Sequence, residues 1–130
     1  MAGAGRVVAG SARGVRLAAP GAGTRPLADR VKEAVFGSLE PALPEAAILD
    51  LCAGSGGAAI EALSRGASRA VLVERDRGSC RVIAENLRRA DVADRARVVR
   101  ADAWGAGPTA RCACWSRGRV PRPSRASAWR

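Results

Sequence analysis

The 130-residue sequence contains no histidine and no tyrosine, and only one phenylalanine and one methionine. Without an imidazole, a Ser-His-Asp or Cys-His constellation is excluded, and so is a histidine-ligated metal. The four cysteines, Cys52, Cys80, Cys112 and Cys114, supply no substitute. Cys112 and Cys114 are separated by a single residue and lack a second pair at zinc spacing. No metal is therefore expected, and free thiols suit a reducing cytoplasm. Long apolar runs are missing as well. None approaches the roughly 20 residues of a membrane span, and no signal-peptide apolar core occurs, so no membrane association is expected.

Acidic residues are absent before Asp29 and after Asp102, and the net charge is +10. A balance this basic suits a polyanionic partner, because Lys and Arg release counterions from phosphates. GC-rich coding, which enriches Arg, Ala and Gly together, explains part of the same charge without a partner. The N-terminal stretch has the acid-poor composition of a transit peptide but reads better as a structured arm.

Residues 104–130 differ in texture from the rest. They contain no Asp, Glu, Lys, Leu, Ile, Phe or Met, yet hold all three Trp. No helix or strand period survives there, and such a segment buries too little apolar surface to offset its chain entropy. Disorder is expected. Two origins compete: a nucleic-acid tail with Arg on phosphate and Trp on bases, or translation out of frame through GC-rich DNA. The missing residue types favour the second.

What remains is regular. RVVAGSARGVRL (6–17) alternates loosely and suggests a short strand or hairpin, followed by a Pro/Gly loop over 19–26. Val31, Val35 and Leu39, with Phe36 beside them, predict an amphipathic helix from Asp29 to Leu39, stopped by Pro41 and Pro44. AAILDLC (46–52) reads as a buried strand. A helix over 57–65 closed by Gly66 follows, then a strand over 69–74. Asp76 caps a helix to about Arg89 with Cys80, Ile83 and Leu87 on one face, and a third strand covers 96–102. The resulting β-α-β-α-β order predicts an α/β fold with a parallel, doubly wound sheet. Three regions are expected: an arm and helix over 1–45, a nucleotide-binding half domain over 46–103, and the tail over 104–130.

The chemistry lies in ILDLCAGSGGAAIEALSRG (48–66). Strand, glycine turn and helix place a helix N-terminus against a ligand. Gly54, Gly56 and Ala59 satisfy a dinucleotide fingerprint, and Glu74, twenty residues after Gly54, can accept ribose hydroxyls. Asp50 separates two adenosine-containing candidates. A carboxylate beside a pyrophosphate is unfavourable, whereas beside the ammonium and sulfonium of S-adenosylmethionine (AdoMet) it is favourable. Asp102, ending the third strand, can accept from an adenine amine. Three acids at three strand ends describe a crevice for a cationic nucleoside. A nicotinamide dehydrogenase half is the less favoured alternative.

VVAGSARGVRL, TRPLADRVKEAVFGSL, ILDLCAGSGGAAIEALSRGA and AVLVERD, in this order, resemble the RsmD family of bacterial 16S ribosomal RNA guanine-N2 methyltransferases. The resemblance spans residues 6 to about 103. It implies a Rossmann-like class I AdoMet-dependent fold, with the small ribosomal subunit as partner; a monomer is expected. It also implies that Asp50, Ala53, Gly54, Ser55 and Gly56 form the methionine and ribose wall. Glu74 would take the ribose and Asp102 the adenine. Arg6, Arg13, Arg16, Arg25, Arg30 and Lys32 would lie near RNA phosphates. One departure stands out. Members of the family carry an Asp/Asn-Pro-Pro-aromatic turn after a fourth strand, which orients the guanine amine and stacks the base. This sequence has no Pro-Pro, Asp-Pro or Asn-Pro. No catalytic residue is therefore nominated, and the expected fold is truncated after the third strand, with one edge of the first strand bare. A non-catalytic RNA- or AdoMet-binding fragment is the alternative reading.

Overall fold

The computed structural model describes residues 3–21, 23 and 25–104. The expected Arg-rich tail, apart from Trp104, lies outside the described residues. Strand β1 (Gly3–Arg6) and strand β2 (Arg16–Ala18) form an antiparallel hairpin, with Gly3 opposite Ala18 and Arg6 opposite Arg16. The sequence permits this because glycines occupy the positions that need positive φ: Gly10 and Gly14 stand at φ 85° and 86°. The expected hairpin is present, its strands reaching past 6–17 at both ends, to Gly3 and Ala18.

Helix α1 spans Asp29–Leu39, as the spacing predicts, but its inward face differs. Lys32 and Phe36 are buried, whereas Val31, Val35 and Leu39 are 43%, 45% and 46% exposed. Two sets of residues at spacing four share this helix, and hydropathy favoured the wrong one. Phe36 wins because its ring packs inward, with the Arg65 guanidinium 5.7 Å from its centroid. Lys32 wins because its Nζ donates to the Arg6 carbonyl at 2.7 Å, which ties helix to hairpin.

The rest is a three-stranded parallel sheet in the order β3 (Ala47–Asp50), β4 (Arg69–Glu74), β5 (Ala96–Arg100). Helix α2 (Gly57–Ser64) and helix α3 (Arg77–Arg89) make the crossovers. Gly66, at φ 110°, ends α2 as expected, with its N–H and that of Ala67 closing onto Leu63 and Ala62 carbonyls. Asp76 caps α3 by accepting from Ser79 N at 2.6 Å. Ala4, Val7 and Leu17 of the hairpin segment join Ile60, Leu63, Leu72, Ile83 and Leu87 in one core cluster.

Strand β3 was expected to be buried, and it is only half so. Leu49 is 39% exposed and Leu51, just beyond it, 43%. Among the described residues β3 pairs with β4 alone, so its other edge is uncovered. A groove of about 310 Å³ runs there between Phe36, Asp50 and Ala58. No helix among the described residues is long and apolar enough to cross a membrane.

Candidate cofactor site

Because β3, β4 and β5 are parallel, their C-terminal ends share one side of the sheet. Asp50 ends β3, Glu74 ends β4, and Asp102 follows β5 by two residues. The structure thus brings the three acids to the same side of the sheet. Between β3 and α2 the chain turns through Ala53–Gly56, with Gly54 and Gly56 at φ 55° and 79°. A side chain at Gly56 would also press on Ile83 and Leu72, both 3.3 Å from an added Cβ. The turn is fixed from below: Ala53 N donates to the Val73 carbonyl at 3.1 Å, and Gly56 N to the Ala53 carbonyl at 2.7 Å. Ser55 is buried, and its hydroxyl accepts from Gly57 N at 3.3 Å.

Glu74 is built into this turn. One carboxylate oxygen accepts from Gly54 N and the other from Asp76 N, each at 3.0 Å. A carboxylate offers about four lone-pair sites, so two remain for ligand hydroxyls. Among the described residues Asp50 accepts only from Cys52 N, at 3.3 Å. Burial pushes its carboxyl above the usual range; the Cys52 N–H opposes this, and the Glu74 charge adds to it. Two neighbouring carboxylates, one partly desolvated, make a site that gains by taking up a cation and loses by taking up an anion. Asp102 is exposed, with its carboxylate accepting from Trp104 N at 3.0 Å.

The basic arm falls into two groups. Arg6, Arg13, Arg16, Arg25 and Arg30 are all exposed. Arg6 and Arg16 face each other across the hairpin, and Arg6 also pairs with Asp29 at 3.2 Å. Lys32 does not belong with them. It is fully buried under the hairpin, 3.7 Å from Asp29, and offers no surface to a phosphate.

Three buried polar side chains escaped the sequence reading. Glu61 accepts from Val8 N at 2.8 Å and Ala9 N at 3.0 Å, and pairs with Arg65 at 2.8 Å. Ser64 donates to the Ala9 carbonyl at 2.6 Å and accepts from Ala12 N. Asn86 binds both Ala18 and Ser55. The available signal was a polar residue on an apolar stripe: Asn86 stands three positions after Ile83 and beside Leu87.

Residues 5–112 match the family described as conserved hypothetical protein 95, the RsmD family. The chain belongs to this family. It is 42% identical over 99 residues to YlbH of Bacillus subtilis, an alignment covering 75% of this chain and 54% of that protein. It is 43% identical over 83 residues to the ribosomal RNA small subunit methyltransferase D of Escherichia coli, covering 63% of this chain and 42% of that protein. The chain thus spans about half the length of the curated relatives it matches. Among solved structures, YhhF of Escherichia coli superposes with a TM-score of 0.69 at 40% identity, covering 76% of this chain and 53% of that one. An RNA methyltransferase from Salinibacter ruber, in complex with S-adenosyl-L-homocysteine, superposes at 0.56 with 24% identity, covering 62% of this chain and 52% of that one, which speaks for the fold. The fold is thus the Rossmann-like class I methyltransferase architecture expected from the RsmD resemblance.

Proposed function

We propose that this chain holds AdoMet in the crevice of Asp50, Glu74 and Asp102, as the cofactor-binding half of a ribosomal RNA methyltransferase. The observation that carries this reading is the pairing of Asp50 with Glu74 beside the Gly54–Gly56 turn. The pair suits a ligand bearing an ammonium, a sulfonium and a ribose diol. A pyrophosphate would meet two carboxylates instead, which disfavours a dinucleotide. Glu74 would take the ribose hydroxyls on its free lone pairs, Asp50 would face the cationic methionine end, and Asp102 would accept from the adenine amine. Ala53, Gly54, Ser55 and Gly56 would form the wall along the methionine and ribose. When bound, AdoMet supplies an electrophilic methyl group on its sulfonium. The exposed arginines Arg6, Arg13, Arg16, Arg25 and Arg30 would neutralise RNA phosphates.

The substrate in this reading is the exocyclic N2 of a guanine in 16S ribosomal RNA. The names of the relatives support ribosomal RNA of the small subunit; guanine N2 rests on the sequence resemblance. No residue of this sequence is assigned to hold the guanine amine, since the Asp/Asn-Pro-Pro-aromatic element is absent from it. The chain by itself is expected to bind the cofactor without transferring the methyl group. Equilibrium dialysis with radiolabelled AdoMet, set against NADH, tests the assignment. Saturable AdoMet uptake with none of NADH supports it; NADH uptake without AdoMet overturns it in favour of a dehydrogenase half. RNA affinity with neither cofactor leaves the non-catalytic RNA-binding fragment.

A further inference from the structure

Asn86 lies on α3, wholly buried, at the point where the N-terminal hairpin meets the glycine turn. Its carbonyl oxygen accepts from Ala18 N at 2.8 Å, and its amide nitrogen donates to the Ala18 carbonyl at 2.9 Å and to the Ser55 carbonyl at 2.9 Å. Both donors of the amide are used, and its orientation is fixed, because a flipped amide would set its NH2 against the Ala18 N–H. One side chain therefore clamps the last residue of β2 and the Ser55 carbonyl of the turn proposed to hold AdoMet. Around it the contact is tight. A Cβ at Gly57 would lie 3.7 Å from Leu17 Cδ1 and 3.9 Å from Lys32 Cε, so hairpin and α1 both abut the first turn of α2. At the other end of α2, Glu61 and Ser64 hold the backbone of residues 8–12. The hairpin that carries Arg6, Arg13 and Arg16 is thus pinned to both ends of the helix that the glycine turn opens.

We infer that Asn86 is a positioning residue that couples the basic hairpin to the cofactor turn, so that AdoMet and RNA bind with positive linkage. The inference rests on the proposed function for the two sites. The physical basis is a shared two-ended clamp. Whatever orders Ser55 fixes the Asn86 amide, which fixes Ala18 and the register of β2 against β1. A ligand at either end then spends less of its binding free energy on ordering the other.

The test uses the full chain, AdoMet, and a guanine-containing stem-loop RNA oligonucleotide. AdoMet affinity is measured without and with saturating RNA, and RNA affinity without and with AdoMet. The expected result is a gain on the order of fivefold or more, the same in both directions, as linkage requires. In Asn86→Asp, which keeps an acceptor for Ala18 N and loses both donors, the gain is expected to fall to onefold. A merely structural role would weaken both ligands or lower the melting point and leave the ratio intact; that outcome overturns the inference. Should the variant fail to fold, hydrogen exchange on the unmodified chain decides. AdoMet should slow exchange at the Ala18 amide, and unchanged exchange there with AdoMet bound overturns the coupling. If AdoMet does not bind at all, both the proposed function and this inference fall. If it binds without linkage, only this inference does.

Discussion

Asp50 shows how a carboxylate proposed to bind a cation can cost the fold stability. Its carboxyl is raised above the usual range chiefly by burial, so the charged form is disfavoured in the fold. The sign follows from proton linkage. A group whose folded pKa exceeds its unfolded one binds protons more tightly when folded, so its ionisation destabilises the fold. That penalty is fully present above the raised folded pKa and vanishes as pH falls below the ordinary aspartate value. Asp50→Asn is therefore expected to raise the melting temperature of the ligand-free chain at neutral pH, with the gain shrinking on acidification through that window. The same change is expected to weaken AdoMet about 10- to 100-fold, the loss of a hydrogen bond to a charged group. Thermal scans across pH and dialysis of the same variant check both halves. A variant that loses stability at neutral pH would contradict the burial account.

At the scale of elements, helix α1 carries the clearest lesson. Val31, Val35 and Leu39 repeat at spacing four, and so do Lys32 and Phe36 one position on. Periodicity located the helix but could not choose between adjacent stripes. The choice depended on contacts no local pattern contains: the Arg6 carbonyl for Lys32 and the Arg65 guanidinium for Phe36. Phe36→Ala is expected to cost about 3–5 kcal/mol, whereas Val35→Glu is expected to change stability by less than about 0.5 kcal/mol. Urea denaturation of the two variants measures the contrast, and equal losses would reverse the assignment of the buried face. The hairpin supplies a second case. Gly10 stands at φ 85°, and a Cβ there would come within 1.9 Å of the Ser64 carbonyl oxygen. Gly10→Ala combines a left-handed backbone with a backbone collision, and the expected cost is about 2–4 kcal/mol. Limited proteolysis should then cut the hairpin loop first. Gly14 has a similar φ but open space around it, so alanine there should cost only about 1–2 kcal/mol.

Across the whole molecule, charge and edge exposure dominate. The sequence carries a net +10, and the arm presents five exposed arginines, Arg6, Arg13, Arg16, Arg25 and Arg30. If all five meet phosphates, the logarithm of RNA affinity should fall against the logarithm of salt with a slope of about −4, and Arg13→Ala should reduce that slope by about one. Titrations at several salt concentrations read this directly. Lys32→Ala should act through stability, lowering the melting temperature by loosening the hairpin, because the Lys32 charge is spent on the Arg6 carbonyl and on Asp29 and not on phosphate. The edge of β3 that is unpaired among the described residues, with Leu49 and Leu51 exposed, is the other global feature, and it is a liability for strand pairing between chains.

The sequence by itself determined the order of the elements, the caps at Asp76 and Gly66, and the acids Asp50 and Glu74 at the ends of β3 and β4, with Asp102 two residues past β5 and not at its end. Each of these depends on neighbours a few residues away, or on the rule that parallel strands end on one side, so a linear reading reaches them. The tertiary structure alone decided which stripe of α1 is buried, that Lys32 is a bolt within the fold, and that Asn86, Glu61 and Ser64 join the hairpin to α2 and to the glycine turn. Those choices rest on hydrogen bonds spanning 26 to 68 residues of chain. A polar side chain is buried only where distant backbone groups happen to meet it, and no local pattern records that meeting.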